Sequence, residues 1–231
     1  MLSGTDLIRE RRKRGWTQAQ AAALLGVSQP YLSLLEAGRR PLTAPLFKRL
    51  GRVYVLGPLS MPLLEKVDTS PALLAADLVG LGCPGFNHAL PRRWLNPAQV
   101  LLLALCLLRL QPEIARALPW VAVEYSNLSW PWLVDRAKLV DCQNRLGFVV
   151  TLARKFAALR GATDVAWRLG QTERIIERSR LAREDAFGLG NLTDKRLTWL
   201  RAHRSGDARR WNLLTELRLS DLERYLVPDH R

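Results

Sequence analysis

Gln18 and Gln29 are followed closely by Ser33 and the pair Arg39-Arg40. A primary amide carries an acceptor and two donors. Glutamine at the start of a helix can therefore pair bidentately with N6 and N7 of adenine in the major groove. Ser33 adds a hydroxyl one turn beyond Gln29, and the guanidinium groups of Arg39 and Arg40 suit phosphate oxygens. Ser28, Pro30 and Leu34 complete the outward set around Gln29. Reading a base edge between phosphate clamps is the chemistry these residue types offer.

Other polar groupings point to no reaction. Glu173 and Glu177 share a helix face, but Arg174 and Arg178 interleave them, which reads as a solvated, ion-paired surface. Asp135 and Asp141 flank Lys138 in the same way. There is no phosphate-cradling glycine loop, no nucleophile elbow, and no histidine beside a cysteine or serine. Cys83, Cys106 and Cys142 are odd in number and far apart, which fits reduced thiols in a cytoplasmic protein. His88, His203 and His230 are equally scattered. The expectation is a protein that is not an enzyme and takes no cofactor and no metal.

The elements that must position the glutamines are written locally. Thr17 is a helix N-cap before a breaker-free Gln-Ala-Gln-Ala-Ala-Ala-Leu-Leu run. Gly26 supplies the left-handed conformation that ends that helix. Ser28 opens a second helix two residues later, with Pro30 in its first turn. Two helices joined by so tight a turn cross steeply, as in a helix-turn-helix. Ala21, Ala22, Leu25, Val27, Leu32 and Leu35 form one apolar seam between them.

Over roughly residues 5–56 the sequence resembles the Cro/repressor (Xre-type) helix-turn-helix DNA-binding family. The resemblance rests on Thr17-Gln18, Gly26, Ser28-Gln29 and Leu35-Glu36-Ala37-Gly38-Arg39-Arg40. In that family the residue matching Gln18 holds a phosphate and braces the residue matching Gln29. The family usually acts as a homodimer on a two-fold operator, so the resemblance implies double-stranded DNA and a second copy as partners.

Charge agrees with a polyanionic partner. The 231 residues carry a formal net charge of +14 with a pI near 10.8. Residues 1–57 hold ten basic and three acidic residues, so half of the excess lies in a quarter of the chain. The arginines of residues 9–14 interrupt any signal-peptide-like apolar run. The longest apolar stretch, 98–108, is too short to span a membrane.

The predicted architecture is all-α. Residues 1–57 form a four- to five-helix bundle, with a first helix over 5–14 that turns Leu2, Leu7 and Ile8 inward, Trp16 packed ahead of the Thr17 cap, and a fourth helix over 43–50. Residues 58–95 are a proline-rich structured connector with one helix over 71–79. Residues 96–231 form a larger helical domain for dimerisation or partner binding. Its expected helices start at Asn96-Pro97, at Pro112 with a restart at Pro119, at Ser129, at Leu146 and near Thr163, with further ones from Thr193, Ser205 and Ser220. No strand pattern of useful length occurs.

Eight tryptophans are present: Trp16, Trp94, Trp120, Trp130, Trp132, Trp167, Trp199 and Trp211. Most read as core filler. Trp130 and Trp132, flanking Pro131, are candidate partner anchors with Arg136 and Lys138 as a basic rim, because exposed indoles are favoured at interfaces. The basic tail around Arg201, Arg204, Arg209, Arg210 and Trp211 offers a second surface for nucleic acid. The C-terminal half also looks diffusely like antitoxins paired with nucleotidyltransferase-type toxins, notably around Asn144-Arg145-Leu146-Gly147-Phe148. This likeness implies a repressor that doubles as an antitoxin, with a toxin protein as partner. A stand-alone dimeric repressor that senses a small molecule is the alternative, and an RNA-directed protein the third reading.

Overall fold

The computed structural model describes residues 3–65, 67–86, 95–189 and 193–226. His88, Trp94 and His230, together with Leu2, lie outside them. The chain is all-α and divides into two compact units. The first takes in the residues up to Leu64 together with Leu95 and Asn96; the second comprises residues 65–86 and 97–226.

The first unit is built from α1 (Gly4–Lys13), α2 (Gln18–Leu25), α3 (Gln29–Glu36) and α4 (Ala44–Val53). Ser3 caps α1 reciprocally with Asp6, and Thr17 caps α2 reciprocally with Gln20, so orphan amides at both starts are satisfied. Gly26 ends α2 at φ 61°. Thr43 precedes α4 but makes no side-chain cap. Leu7, Ala21, Ala22, Leu25, Leu32, Leu35, Leu46, Phe47, Leu50 and Tyr54 form one core, with Trp16 packed against it. Ile8, expected inside, is only half-buried. Met61 belongs to the same core, and Asn96 Nδ2 ties down the carbonyls of Leu59 and Met61 at 3.1 and 2.8 Å. Gly4 is demanded by close approach: a Cβ there would lie 2.2 Å from the Glu36 carbonyl oxygen.

The second unit contains α5 (Pro71–Gly80), α6 (Pro97–Cys106), α7 (Pro112–Glu124), α8 (Trp130–Leu139), α9 (Gln143–Leu159), α10 (Thr163–Glu177), α11 (Asp194–His203) and α12 (Gly206–Arg210). A minimal parallel pair, β1 (Asp185–Ala186) with β2 (Leu213–Leu214), joins two loops. Helix α9 is the centre: α7 and α10 pack along it, and Leu146, Phe148, Val149, Val150, Leu152, Ala153, Phe156 and Ala157 are all buried.

Packing overrides three expectations from the sequence. Helix α7 continues through Pro119, which is buried, forgoing one bond to the Ala115 carbonyl; burial of Ile114, Ala115, Leu118, Val121 and Ala122 outweighs that loss. Helix α9 begins at Gln143, not Leu146, because its polar first turn is buried: Gln143 Nε2 bonds Ser179 O, Asn144 exchanges two bonds with Leu181, and Arg145 pairs with Asp185 at 2.5 Å. Glu173 is not solvated. It is 3% exposed and accepts from Thr151, Arg154 and Arg210, while Glu177 also binds Arg210. Arg174 and Arg178 do not supply these pairs; the cations come from α9 and α12.

Trp211 is fully buried, its ring set over Gly147 and its Nε1 donating to Thr151 Oγ1 at 2.8 Å. Any larger residue at 147 would meet the ring, since a Cβ there lies 2.3 Å from it. Among the described residues, no helix is long and apolar enough to cross a membrane.

Candidate nucleic-acid interface

At the start of α3 the N-cap Ser28, Gln29 and Pro30 are exposed, with Ser33 and Leu34 half-buried along the same edge. Its N-terminus is set by Ser28, whose Oγ accepts from Tyr31 N at 3.3 Å. Its far end is set by Gly38 in the left-handed conformation at φ 69°, which turns the chain so that Arg39 N reaches back to Leu34 O at 2.9 Å. Arg39 and Arg40 stand exposed on this turn.

A polar chain runs beneath the exposed surface. Arg11 on α1 donates from Nε and Nη2 to the two carboxylate oxygens of Glu36 at 2.6 and 3.0 Å, and from Nη1 to Trp16 O at 3.0 Å. Glu36 also accepts from Gln18 Nε2 at 2.8 Å, and Gln18 Oε1 accepts from Gln29 Nε2 at 3.1 Å. A carboxylate only accepts, so it dictates which end of the Gln18 amide faces it, and Gln18 then dictates which end of Gln29 faces inward. Gln29 is left with its Oε1 and one N–H directed outward, an acceptor and a donor in known order.

Burial pushes the Glu36 carboxyl up. The hydrogen bonds from Arg11 and Gln18, aided by the charges of Arg11 and Arg12, outweigh that and hold it below the usual carboxylate range. Arg11 and Glu36 escaped sequence reasoning as a pair. The only sequence signal was Glu36 inside the Leu-Glu-Ala-Gly run, because nothing local links positions so far apart. Arg49 on α4 was also missed: its Nη1 donates to Leu25 O at 2.6 Å and caps the end of α2 beside Gly26.

The electrostatics favour an anion along this edge. Arg11 is neutralised by Glu36, and Lys13 and Arg14 by Glu10. Arg39 and Arg40 are exposed and, among the described residues, form no ion pair; Arg12 is exposed as well, its charge acting on Glu36.

The C-terminal candidates are arranged differently. Trp130 and Trp132 are both half-buried, and Trp130 Nε1 donates to Ser126 O at 2.9 Å; Arg136 and Lys138 are exposed. The basic tail is largely used within its own unit: Arg201 and Arg204 pair with Glu184, Arg210 with Glu173 and Glu177, and Trp211 is core. Asn144, Arg145 and Gly147, on which the expected likeness to antitoxins rested, serve the fold: they tie the 179–185 segment to α9 and make room for Trp211.

Residues 4–61 match the helix-turn-helix domain family. Over 70 residues the chain is 39% identical to a protein of Sinorhizobium fredii (strain NBRC 101917 / NGR234) named as the uncharacterized HTH-type transcriptional regulator y4dJ, a stretch that covers 30% of this chain and 88% of that relative. No solved structure matches the chain. With its capped helices, left-handed Gly26 and glutamine pair set on one edge, the chain belongs to the helix-turn-helix domain family.

Proposed function

We propose that the protein is a DNA-binding transcriptional regulator that lays α3 in the major groove, with Gln29 on a base edge, Ser33 beside it, and Gln18, Arg39 and Arg40 on phosphates. The observation that carries this reading is the chain Arg11–Glu36–Gln18–Gln29, which aims an exposed amide whose donor and acceptor are already sorted. Fixing the amide before contact removes rotamer entropy that binding would otherwise cost. Adenine, with N7 as acceptor and N6 as donor, is the matching base. The test uses a target selected by the full-length protein from random duplexes. Gln29→Ala loses about 1–3 kcal/mol on that target and little on unrelated DNA, whereas Arg40→Ala weakens both and lowers the salt slope by about one. Equal loss on both kinds of DNA for Gln29→Ala overturns the assignment.

A single short helix reads few base pairs, so repression of a promoter by occlusion requires two copies on joined half-sites. The second unit is the part we assign to that pairing. Leu108, Leu139 and Trp167 are 79, 74 and 66% exposed there, apolar surface that a second copy would cover. Residues 1–64 alone should then bind the selected target orders of magnitude more weakly than the whole chain. Equal affinities remove the dimer from the proposal.

A further inference from the structure

We propose that Cys106 and Cys142 form an oxidisable dithiol, in which Cys106 attacks a low-molecular-weight disulfide and Cys142 resolves the product into a bond joining the end of α6 to the start of α9. Cys106 is the last residue of α6 and is exposed; Cys142 is the buried N-cap of α9. Sequence distance hides their proximity, and a single arginine enforces it. Arg145, in the first turn of α9, donates from Nη1 to Leu105 O at 2.7 Å and to Leu107 O at 3.1 Å, carbonyls on either side of Cys106. Its Nε and Nη2 grip Asp185 at 2.5 and 2.8 Å, so the guanidinium is held at both ends. Within this clamp Cys106, between the two carbonyls that Arg145 binds, and Cys142, one turn before Arg145, lie close enough for each thiol to act on the other.

The environment divides the labour between them. The hydrogen bond from Cys142 lowers the Cys106 thiol; burial opposes this, the Arg145 charge adds to it, and the group comes down to about 7. The same contact, with burial and the nearby Asp185, drives Cys142 up, against Arg145. An exposed thiol that ionises more readily than usual thus sits in front of one that holds its proton, the order a two-step exchange needs. Cys83 is the internal contrast: buried, and pushed up to about 12 chiefly by that burial.

Oxidised glutathione serves as the probe. The Cys106 thiolate attacks one of its sulfurs, forming a mixed disulfide and expelling one glutathione thiolate. Cys142 then loses its proton to solvent, attacks the Cys106 sulfur and expels the second glutathione thiolate. Two protein thiols are oxidised to one disulfide while one glutathione disulfide is reduced to two thiols.

Reduced full-length protein is incubated with excess oxidised glutathione near neutral pH, quenched and mapped by mass spectrometry without reduction. The expected wild-type product is a Cys106–Cys142 link with no retained glutathione and with Cys83 still a thiol. Cys142→Ser should stop at a glutathione adduct on Cys106, and Cys106→Ser, altered at an exposed position, should form neither adduct nor link on the same timescale. In wild type, iodoacetamide should label Cys106 about 100-fold faster than Cys83. A wild-type chain that keeps glutathione on Cys106, or in which Cys106 stays unmodified or reacts no faster than Cys83, overturns the proposal. Should Cys142→Ser fail to fold, the wild-type map and Cys106→Ser decide the matter alone.

Discussion

Glu36→Gln removes one charge from the centre of the polar chain while keeping its shape. In the wild type the Arg11 and Glu36 side chains are 12 and 3% exposed and joined by two bonds, with a third from Gln18. Leaving one partner of such a buried pair without its countercharge costs about 3–5 kcal/mol. The glutamine oxygen still accepts one bond from Arg11, which recovers about 1–2 kcal/mol. The net loss is about 2 kcal/mol, and it falls on the first unit. Native-state hydrogen exchange of the full chain reads it locally: buried amides of α2 and α3, such as those of Leu25 and Leu32, should exchange about 30-fold faster, with those of α9 unchanged. The pH dependence has a definite sign. Glu36 is held below its usual 4.5, so its contribution is present above that value and is lost as pH falls through the lowered folded value. The gap between wild type and variant should therefore close in acid. Less than a threefold change in α2 and α3 at neutral pH, or a gap that persists unchanged in acid, refutes the reasoning.

Three further outcomes follow from close contacts in the structure. Gly147→Ala gains about 1 kcal/mol of helix propensity but drives a Cβ to 2.3 Å from the Trp211 ring, so melting should show a net loss of about 1–2 kcal/mol; a stabilised variant would mean that the ring moves aside freely. Gly4→Ala places a Cβ 2.2 Å from the Glu36 carbonyl oxygen, and both α3 protection and DNA affinity should fall, with exchange and binding measured on the same sample. Trp211→Ala should cost about 3–5 kcal/mol of folding and Trp130→Ala, half-buried, about half of that; chemical unfolding that ranks them in the opposite order contradicts the burial described above.

What the sequence determined by itself is local. Thr17, Gly26, Ser28 and Pro30 act on amides and torsions within a few residues, so the α2–turn–α3 unit and the outward set of Ser28, Gln29 and Pro30 are legible without a fold. Apolar periodicity likewise marked α9 and α10, because a buried stripe needs only helical spacing. Tertiary structure decided everything that joins distant positions. It set Arg11 against Glu36 and so sorted the Gln18 and Gln29 amides. It turned the polar start of α9 inward, buried Glu173 beneath cations from other elements, seated Trp211 over Gly147, and brought Cys106 to Cys142. The physical reason is the same each time. A polar or aromatic side chain is read from sequence as solvated or as filler, and only the partner that folding places beside it makes its burial favourable.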